Sequence, residues 1–152
     1  MTGATGFIGR HLVWRLQQDH HTIKVLSRNG MRANQELGVS AYDWDYAKEE
    51  VPAAALENIQ VIIHLMGENL GNGRWTEERK REIYDSRILS TRKLVSAAPS
   101  SVECFICASA IGIYPGQGDD VYDESYGVPD HGNFMQTICH DWEKEAANIE
   151  SK

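Results

Sequence analysis

Three glycines recur at every third position near the amino terminus of the chain. They are Gly3, Gly6 and Gly9 of the segment T-G-A-T-G-F-I-G, and an apolar helical pattern follows them directly. The first permits a tight turn after a strand, the second lets backbone N–H groups approach a pyrophosphate, and the third lets the helix pack closely on a sheet. Because a helix N-terminus also carries partial positive charge, the pattern predicts a dinucleotide phosphate at the start of the first helix.

The second glycine is the position where a side chain should interfere most with a ligand. A β-branched residue in place of Gly6 would occupy the path by which the pyrophosphate approaches the backbone. We also expect such a residue to tolerate the backbone angles of the turn poorly.

A glycine-rich turn alone is a weak motif, since such turns open many helices, and its context decides the interpretation. After Gly9, apolar residues recur at helical spacing, and residues 22–27 have the β-branched, alternating character of a strand. A complete βαβ unit also needs roughly five apolar residues before the first glycine. Only Met1 and Thr2 stand there. We therefore expect the first strand to be missing from this sequence.

Predicted strands and helices alternate along the rest of the chain without a linker, repeat or low-complexity segment. Further strands are predicted at residues 39–44, 59–65 and 102–109, and long helices at about 76–98 and 134–149. Such alternation indicates an α/β fold with a Rossmann-type, doubly wound parallel sheet. We expect one domain over residues 1–152, incomplete at its first strand.

The composition is typical of an ordinary globular domain. The 152 residues are 41% hydrophobic and 24% charged, which suits a single core. A net charge of −7 argues against an extended surface for nucleic acid or anionic membrane. No apolar run approaches the roughly 18 residues of a membrane span, and no signal-peptide pattern is present. We expect a cytoplasmic protein with neither nucleic-acid nor membrane partners.

The three cysteines give little reason to expect a disulfide framework or a metal site. Cys104 and Cys107 form a C-x-x-C pair, but the pair lies in an apolar run with the character of a strand. Alternation along a strand sends the two side chains to opposite faces, and a redox pair requires a helix start instead. We expect these cysteines to be buried thiols, and we expect no metal.

Blocks of sequence along nearly the whole chain, in consistent order, resemble a known family. The blocks are residues 2–10, 64–69, 74–76, 86–91, 109–114 and 141–143. They resemble the extended short-chain dehydrogenase/reductase superfamily, within it the NAD(P)-dependent epimerase/dehydratase family, and more closely its atypical branch described as nucleoside-diphosphate-sugar epimerase-like or cell-division-inhibitor-like. Members run to roughly 300 residues, about two ordinary domains. The resemblance therefore implies a cofactor-binding half, with the carboxy-terminal substrate region absent.

The end of the strand at residues 22–27 indicates which cofactor is preferred. An acidic residue there would bond a ribose 2′-hydroxyl and favour NAD, whereas Ser27 and Arg28 place a hydroxyl and a guanidinium where a 2′-phosphate would lie. Arg28 can form bidentate, charge-assisted bonds to phosphate, with Arg32 as a possible helper. We therefore expect NADP; the alternative is a solvated loop arginine.

Other cofactor contacts are implied by the resemblance and by the sheet edge. Asp43 and Asp45 occupy the region that meets adenine in similar proteins, although surface turns contain the same residues. The backbone after the strand at residues 59–65 should form a wall against the cofactor, and His64 is expected to be a core histidine. The predicted cofactor-binding residues are Gly3, Thr5, Gly6, Phe7, Ile8, Ser27, Arg28, Asp43, Leu65, Met66 and Gly67.

The catalytic pattern departs from that of the family. A standard member carries a Ser or Thr after the strand at residues 102–109 and a Tyr-x-x-x-Lys on the next helix, where the lysine lowers the tyrosine pKa for proton transfer. Ser109 is the natural hydroxyl here, although aligning Tyr114 with the usual tyrosine of that loop puts Ala110 opposite the catalytic hydroxyl. The tyrosine and lysine positions fall on Met135 and Cys139, neither of which can perform this chemistry.

Tyr114 is the best substitute acid, and its alternative is a packing aromatic. The candidate catalytic residues are therefore Ser109 and Tyr114.

Two functions from different classes follow. The first is an NADP-dependent oxidoreductase or epimerase that acts on a small molecule, such as a nucleotide sugar or another carbonyl or alcohol. The second is a non-catalytic NADP(H)-binding or redox-sensing protein, which the absence of Tyr-x-x-x-Lys favours. The sequence leaves a homodimer open.

Overall fold

The computed structural model describes residues 1–116, 119–127 and 132–151. In this part of the chain four strands alternate with five α-helices. The strands are β1 (Lys24–Ser27), β2 (Ser40–Asp43), β3 (Val61–His64) and β4 (Cys104–Cys107). The helices are α1 (Phe7–Gln18), α2 (Gly30–Leu37), α3 (Ala53–Leu56), α4 (Glu77–Ala97) and α5 (Phe134–Ala147), with 3₁₀ turns at Ile111–Ile113 and Asn148–Ser151.

All strand pairs are parallel, and the first residues of the chain join them into one sheet. β1 pairs with β2 and β3 pairs with β4, while Thr2 forms bridges to both Leu26 and His64. The Thr2 N–H donates to the Ile63 carbonyl, and the Leu26 N–H donates to the Met1 carbonyl, each at 2.9 Å. Residues 1–2 thus occupy the position of the expected first strand, between β1 and β3. The strand order reverses there, so the glycine turn begins at a topological switch point.

Helices cover the sheet on both of its faces. The adjacent residues Val25 and Leu26 of β1 are both buried, in different clusters, since successive side chains point to opposite faces. One cluster packs against α1 and α2 and contains Ala4, Val13, Val25, Ala33 and Val39. The other packs against α3 and α4 and contains Leu26, Trp44, Val51, Ala55, Leu56, Ile62 and Leu94. This arrangement confirms the predicted Rossmann-type, doubly wound fold.

Predicted elements are all present, with strands two to four residues shorter than expected. The helix predicted to start near Thr76 begins at Glu77, and the Thr76 hydroxyl caps it by accepting from the Arg79 N–H. The last helix ends at Ala147 rather than at Ile149, because the chain tightens there into a 3₁₀ turn. Its predicted apolar residue Trp142 is buried.

The prediction that the cysteine thiols are buried is wrong at one position. Cys139 is buried and Cys107 is half-buried, and burial raises the pKa of the Cys107 thiol to about 11. Cys104 is exposed, because it shares the outer face of β4 with Ile106, whose side chain is also 48% exposed. Alternation therefore separates the two thiols as expected, but only one of the two faces is covered at this strand.

Within the described residues, no helix combines the length and hydrophobicity needed to span a membrane. The same residues contain no group of three or more His, Cys, Asp and Glu side chains placed to hold a metal ion.

Candidate functional site

The glycine turn is packed so tightly that side chains are excluded from two of its positions. Gly3 has φ +65°, and a Cβ there would lie 2.8 Å from the backbone carbonyl of Leu65. A Cβ on Gly9 would overlap the carbonyl oxygen of Gly3, so α1 lies directly on the turn. Gly6 instead has φ −73° and ψ 176°, an ordinary extended conformation. The expectation that Gly6 resists substitution through its backbone angles is therefore wrong, and that constraint belongs to Gly3.

The N-terminus of α1 has no capping side chain. Gly6 is its N-cap residue, and its first turn contains no acidic residue. By contrast, side chains of Asn29, Thr76 and Asn133 cap α2, α4 and α5. The Phe7 and Ile8 side chains are 80% and 68% exposed, so their contribution to a phosphate site would come from the backbone. First-turn N–H groups without a cap are donors suited to a phosphate.

Two connected cavities meet at this turn. The larger, about 680 Å³, runs from Ser27 and Arg28 across Gly3 and Gly6 to the backbone of residues 65–68. The smaller, about 570 Å³, shares Thr5, Ser27 and Arg28 with it. Both volumes lie in the range of small-molecule and cofactor sites. The lining of these cavities contains every predicted cofactor residue but three. The three that lie outside it are Asp43 and the exposed Phe7 and Ile8.

Three arginines surround the smaller cavity. Arg28 and Arg32 were predicted from sequence, and Arg10 joins them from the first turn of α1. The Arg10 Nη2 donates to the Thr5 carbonyl at 2.8 Å, which holds its guanidinium beside the glycine turn. Arg32 also pairs with Glu36 at 2.6 Å. Sequence reasoning missed Arg10, although a cation one turn after Gly6 was a signal that could have identified it.

Asp43 has a structural partner rather than a place in the cavity lining. Its carboxylate accepts a 2.8 Å hydrogen bond from the Gly30 N–H at the start of α2. Asp45 lines the larger cavity instead. Its hydrogen bond with Lys48 lowers the Asp45 pKa below the usual value. A contact between Asp43 and adenine stays a prediction, and of the two carboxylates Asp45 is the better placed.

The larger cavity is lined by the backbone after β3 and by two side chains with buried donors. Leu65, Met66 and Gly67 line the larger cavity as predicted, together with Trp44 and Arg79. Trp44 Nε1 and Arg79 Nε are buried and have no hydrogen-bond acceptor within the described part of the chain. A cavity with a glycine cradle, basic side chains and unused donors fits a polar, anionic cofactor such as a dinucleotide.

His64 is a fully buried residue of the core, as predicted. Its Nδ1 lies 2.7 Å from the Thr2 hydroxyl and its Nε2 lies 3.1 Å from the Ser90 hydroxyl. Because the Ser90 hydroxyl donates to the Ser86 carbonyl at 2.6 Å, it accepts from His64 Nε2, and Nδ1 then accepts from Thr2. Burial lowers the His64 pKa to about 3. His64 is therefore neutral, with both ring nitrogens bonded.

The catalytic candidates lie at the carboxyl end of β4 and have different partners. The Ser109 hydroxyl donates a 2.5 Å hydrogen bond to the Glu143 carboxylate on α5. The Tyr114 ring stacks on Tyr122, with centroids 5.6 Å apart, and meets Tyr126 edge-on at 6.0 Å. Ser109 is thus coupled to a carboxylate, while Tyr114 belongs to an aromatic cluster.

Residues at the family's tyrosine and lysine positions pack beside this end of the sheet. A Cβ on Gly112 would lie 3.3 Å from the Met135 Cβ and 3.8 Å from the Cys139 Sγ. Burial raises the pKa of the Cys139 thiol, which keeps its proton. The two side chains therefore stand near Ser109 without a group for proton transfer. Glu143 was not predicted as a functional partner, since its contact with Ser109 joins residues 34 positions apart.

The chain is similar to known proteins of one family. The model of the NAD dependent epimerase/dehydratase family matches residues 1–133. Epimerase family protein YfhF of Bacillus subtilis is 35% identical over 154 residues, covering 99% of this chain and 50% of that protein. The chain spans about half the length of the curated relatives it matches.

Solved structures agree in fold. Human epimerase family protein SDR39U1, solved with NADPH, has a TM-score of 0.77 and 26% identity, covering 95% of this chain and 47% of that one. A nucleoside-diphosphate sugar epimerase from Corynebacterium glutamicum has a TM-score of 0.77 and 27% identity, covering 99% and 30%. Because the family model matches most of this chain, the chain belongs to the NAD dependent epimerase/dehydratase family.

Proposed function

We propose that this protein binds NADP(H) and uses it as an epimerase or oxidoreductase. One observation carries the proposal, namely the two adjoining cavities, which share Thr5, Ser27 and Arg28. Together they run from the arginines past the glycine turn to the wall after β3. Their parts follow the order of the parts of a dinucleotide. A 2′-phosphate would lie at Arg28, the pyrophosphate at Gly6 and the α1 N-terminus, and the nicotinamide end beyond Gly67.

The preference for NADP over NAD rests on charge. Arg10, Arg28 and Arg32 line the cavity next to Ser27, and the carboxylate in that lining, Glu36, is already paired with Arg32. Guanidinium groups bind phosphate through paired, charge-assisted hydrogen bonds. The similar human protein was solved with NADPH, which supports the same choice here.

For the substrate we propose a nucleotide sugar or a related alcohol or carbonyl. The family and the nucleoside-diphosphate sugar epimerase among the similar structures support this class. Hydride transfer at a carbinol carbon requires a group that takes the hydroxyl proton. Ser109 and Tyr114 are the proposed catalytic residues, and the contact with Glu143 favours Ser109, because a carboxylate can accept the proton that the serine relays.

A second candidate function is NADP(H) binding without catalysis, as in a redox-sensing protein. The observation that favours it is that Met135 and Cys139 occupy the family's tyrosine and lysine positions. Both pack near the carboxyl end of β4 and provide neither a general acid nor a general base. A cytoplasmic location and a homodimer are further proposals, which fractionation and sedimentation would test.

One experiment separates the two functions. The full protein is incubated with NADP⁺ or NADPH and a panel of nucleotide sugars and small carbonyls. Absorbance of the reduced nicotinamide reports net redox change, and chromatography of the sugars reports epimerisation. Turnover of a panel member, abolished by removing the cofactor, supports the enzyme; tight NADPH binding with no product from the panel supports the non-catalytic alternative.

A further inference from the structure

One cation near the carboxyl end of β3 has no carboxylate partner within the described part of the chain. Arg87 of α4 is half-buried, and its Nη1 and Nη2 donate to the carbonyl oxygens of Ile83 at 2.9 Å and Glu68 at 3.1 Å. Its guanidinium carbon lies 5.3 Å from the ring centroid of Trp142. Carbonyl oxygens and an aromatic face hold a guanidinium in place, but they leave its net charge unbalanced.

The carboxylate whose charge acts on Arg87 is that of Glu68. This carboxylate is already ion-paired with Arg79 at 3.1 Å. The neighbouring Cys139 thiol keeps its proton and adds no opposing charge, because burial raises its pKa. Burial lowers the pKa of the Arg87 guanidinium, and the nearby Cys139 and Glu68 act in the opposite direction without cancelling that effect. A half-buried charge without a direct ion pair among the described residues is costly, and a ligand-directed role explains its presence.

The position of Arg87 relative to the cavity defines that ligand. A Cβ on Gly67 would lie 2.9 Å from the Arg87 guanidinium carbon, so the charged group packs directly against the Gly67 backbone. Gly67 lines the larger cavity on the side of the glycine turn opposite to Arg28. With the 2′-phosphate at Arg28 and the pyrophosphate at Gly6, the nicotinamide ring would lie on the side of Arg87.

We propose that Arg87 makes the protein favour the reduced over the oxidised nicotinamide cofactor. This inference rests on the proposed function, because it requires a dinucleotide in the cavity. The oxidised ring carries a positive charge and the reduced ring is neutral, while the remainder of the two cofactors is identical. A fixed guanidinium behind Gly67 raises the energy of the oxidised ring only. Arg87 is thus a residue that determines specificity for redox state, and it shifts the bound couple toward NADPH.

The test compares the dissociation constants of NADP⁺ and NADPH for the full protein by calorimetry. In Arg87→Met, which removes the charge and suits a helix, the ratio Kd(NADP⁺)/Kd(NADPH) should fall on the order of three- to tenfold. Arg87→Gln is a second neutral variant that keeps hydrogen-bond donors for the Ile83 and Glu68 carbonyls. Arg87→Lys keeps the charge and should keep most of the ratio.

Arg92→Met is the matched control, because Arg92 lies on the same helix, is exposed and pairs with Glu145. It removes the same charge without changing the field at Gly67, so its ratio should equal that of the wild type. Thermal melts of each variant check that the fold is retained.

Each outcome bears on one claim. A ratio unchanged in the two neutral variants, with NADPH still bound, overturns the role of Arg87 and leaves the proposed function intact. A ratio that falls equally in Arg87→Lys overturns it as well, since geometry rather than charge would then be responsible. A wild-type protein that binds neither nucleotide overturns the proposed function itself.

Discussion

The hydroxyl of Thr2 and the Nδ1 of His64 are 2.7 Å apart in the core, and this hydrogen bond ties the start of the glycine turn to the end of β3. The same hydroxyl accepts from the Leu65 N–H at 3.3 Å. Neutral His64 thus acts as a buried link between the glycine turn and the wall of the cavity. Protonation would force the Thr2 hydroxyl to accept instead of donate, because a charged imidazole cannot accept at Nδ1.

We expect this link to weaken the fold in acid. The His64 pKa is lowered from 6.5 to about 3 in the folded chain, so between these values the unfolded state binds the proton and the folded state does not. Stability therefore falls with decreasing pH through this window, by at most about 1.4 kcal/mol per pH unit from this residue. Urea unfolding at several pH values measures the slope.

The variant His64→Gln provides the comparison, because glutamine does not titrate. It should be less stable than the wild type at neutral pH and should show a shallower loss of stability on acidification. Parallel slopes in the two proteins would show that other groups dominate the acid response.

Gly6→Val should abolish cofactor binding without unfolding the protein. The Gly6 backbone is in an ordinary extended conformation, and a Cβ there would lie 3.2 Å from the Gly3 carbonyl oxygen, a contact that small shifts relieve. The valine methyl groups would occupy the pyrophosphate approach, so NADPH affinity should drop about a hundredfold or more. Gly71→Val, in a loop outside the cavities, is the control. Normal NADPH binding by a folded Gly6→Val would mean that the cradle lies elsewhere.

Ser109→Ala should reduce turnover of any active substrate more than Tyr114→Phe does. Sequence alone favours Tyr114, but its ring packs in a cluster with Tyr122 and Tyr126, whereas Ser109 donates to Glu143. Loss of a positioned proton-transfer group typically costs about 10²–10⁴-fold in rate. Steady-state kinetics of the two variants, with Glu143→Gln beside them, measures the difference. A large loss in Tyr114→Phe with none in Ser109→Ala would restore the tyrosine as the acid.

Much of the cofactor half of the site was predictable from local sequence. The glycine turn and the Ser27–Arg28 step are set by neighbours in the chain, and both line the larger cavity. Periodic apolar patterns were likewise enough to predict the order of strands and helices. The spacing of apolar residues differs between a strand and a helix, because each buries its side chains at its own period.

Contacts between distant segments were beyond sequence reasoning. Nothing local indicates that the Asp43 carboxylate accepts from the Gly30 N–H, that Glu143 contacts Ser109, or that Arg87 packs on Gly67. Each contact depends on how the helices pack on the sheet, which the apolar periodicity of the sequence does not specify. The lengths of the strands were also overestimated, because the apolar runs extend beyond the residues that pair with a neighbouring strand.

The central claim is that the cavity around Ser27 and Arg28 binds a 2′-phosphorylated dinucleotide, and calorimetry of NADPH against NADH tests it most directly. The full protein should bind NADPH more tightly, and Arg28→Ala should lose roughly ten- to a hundredfold of that affinity while NADH binding changes little. Equal affinities for the two nucleotides in the wild type, or a preference that survives Arg28→Ala undiminished, would contradict it.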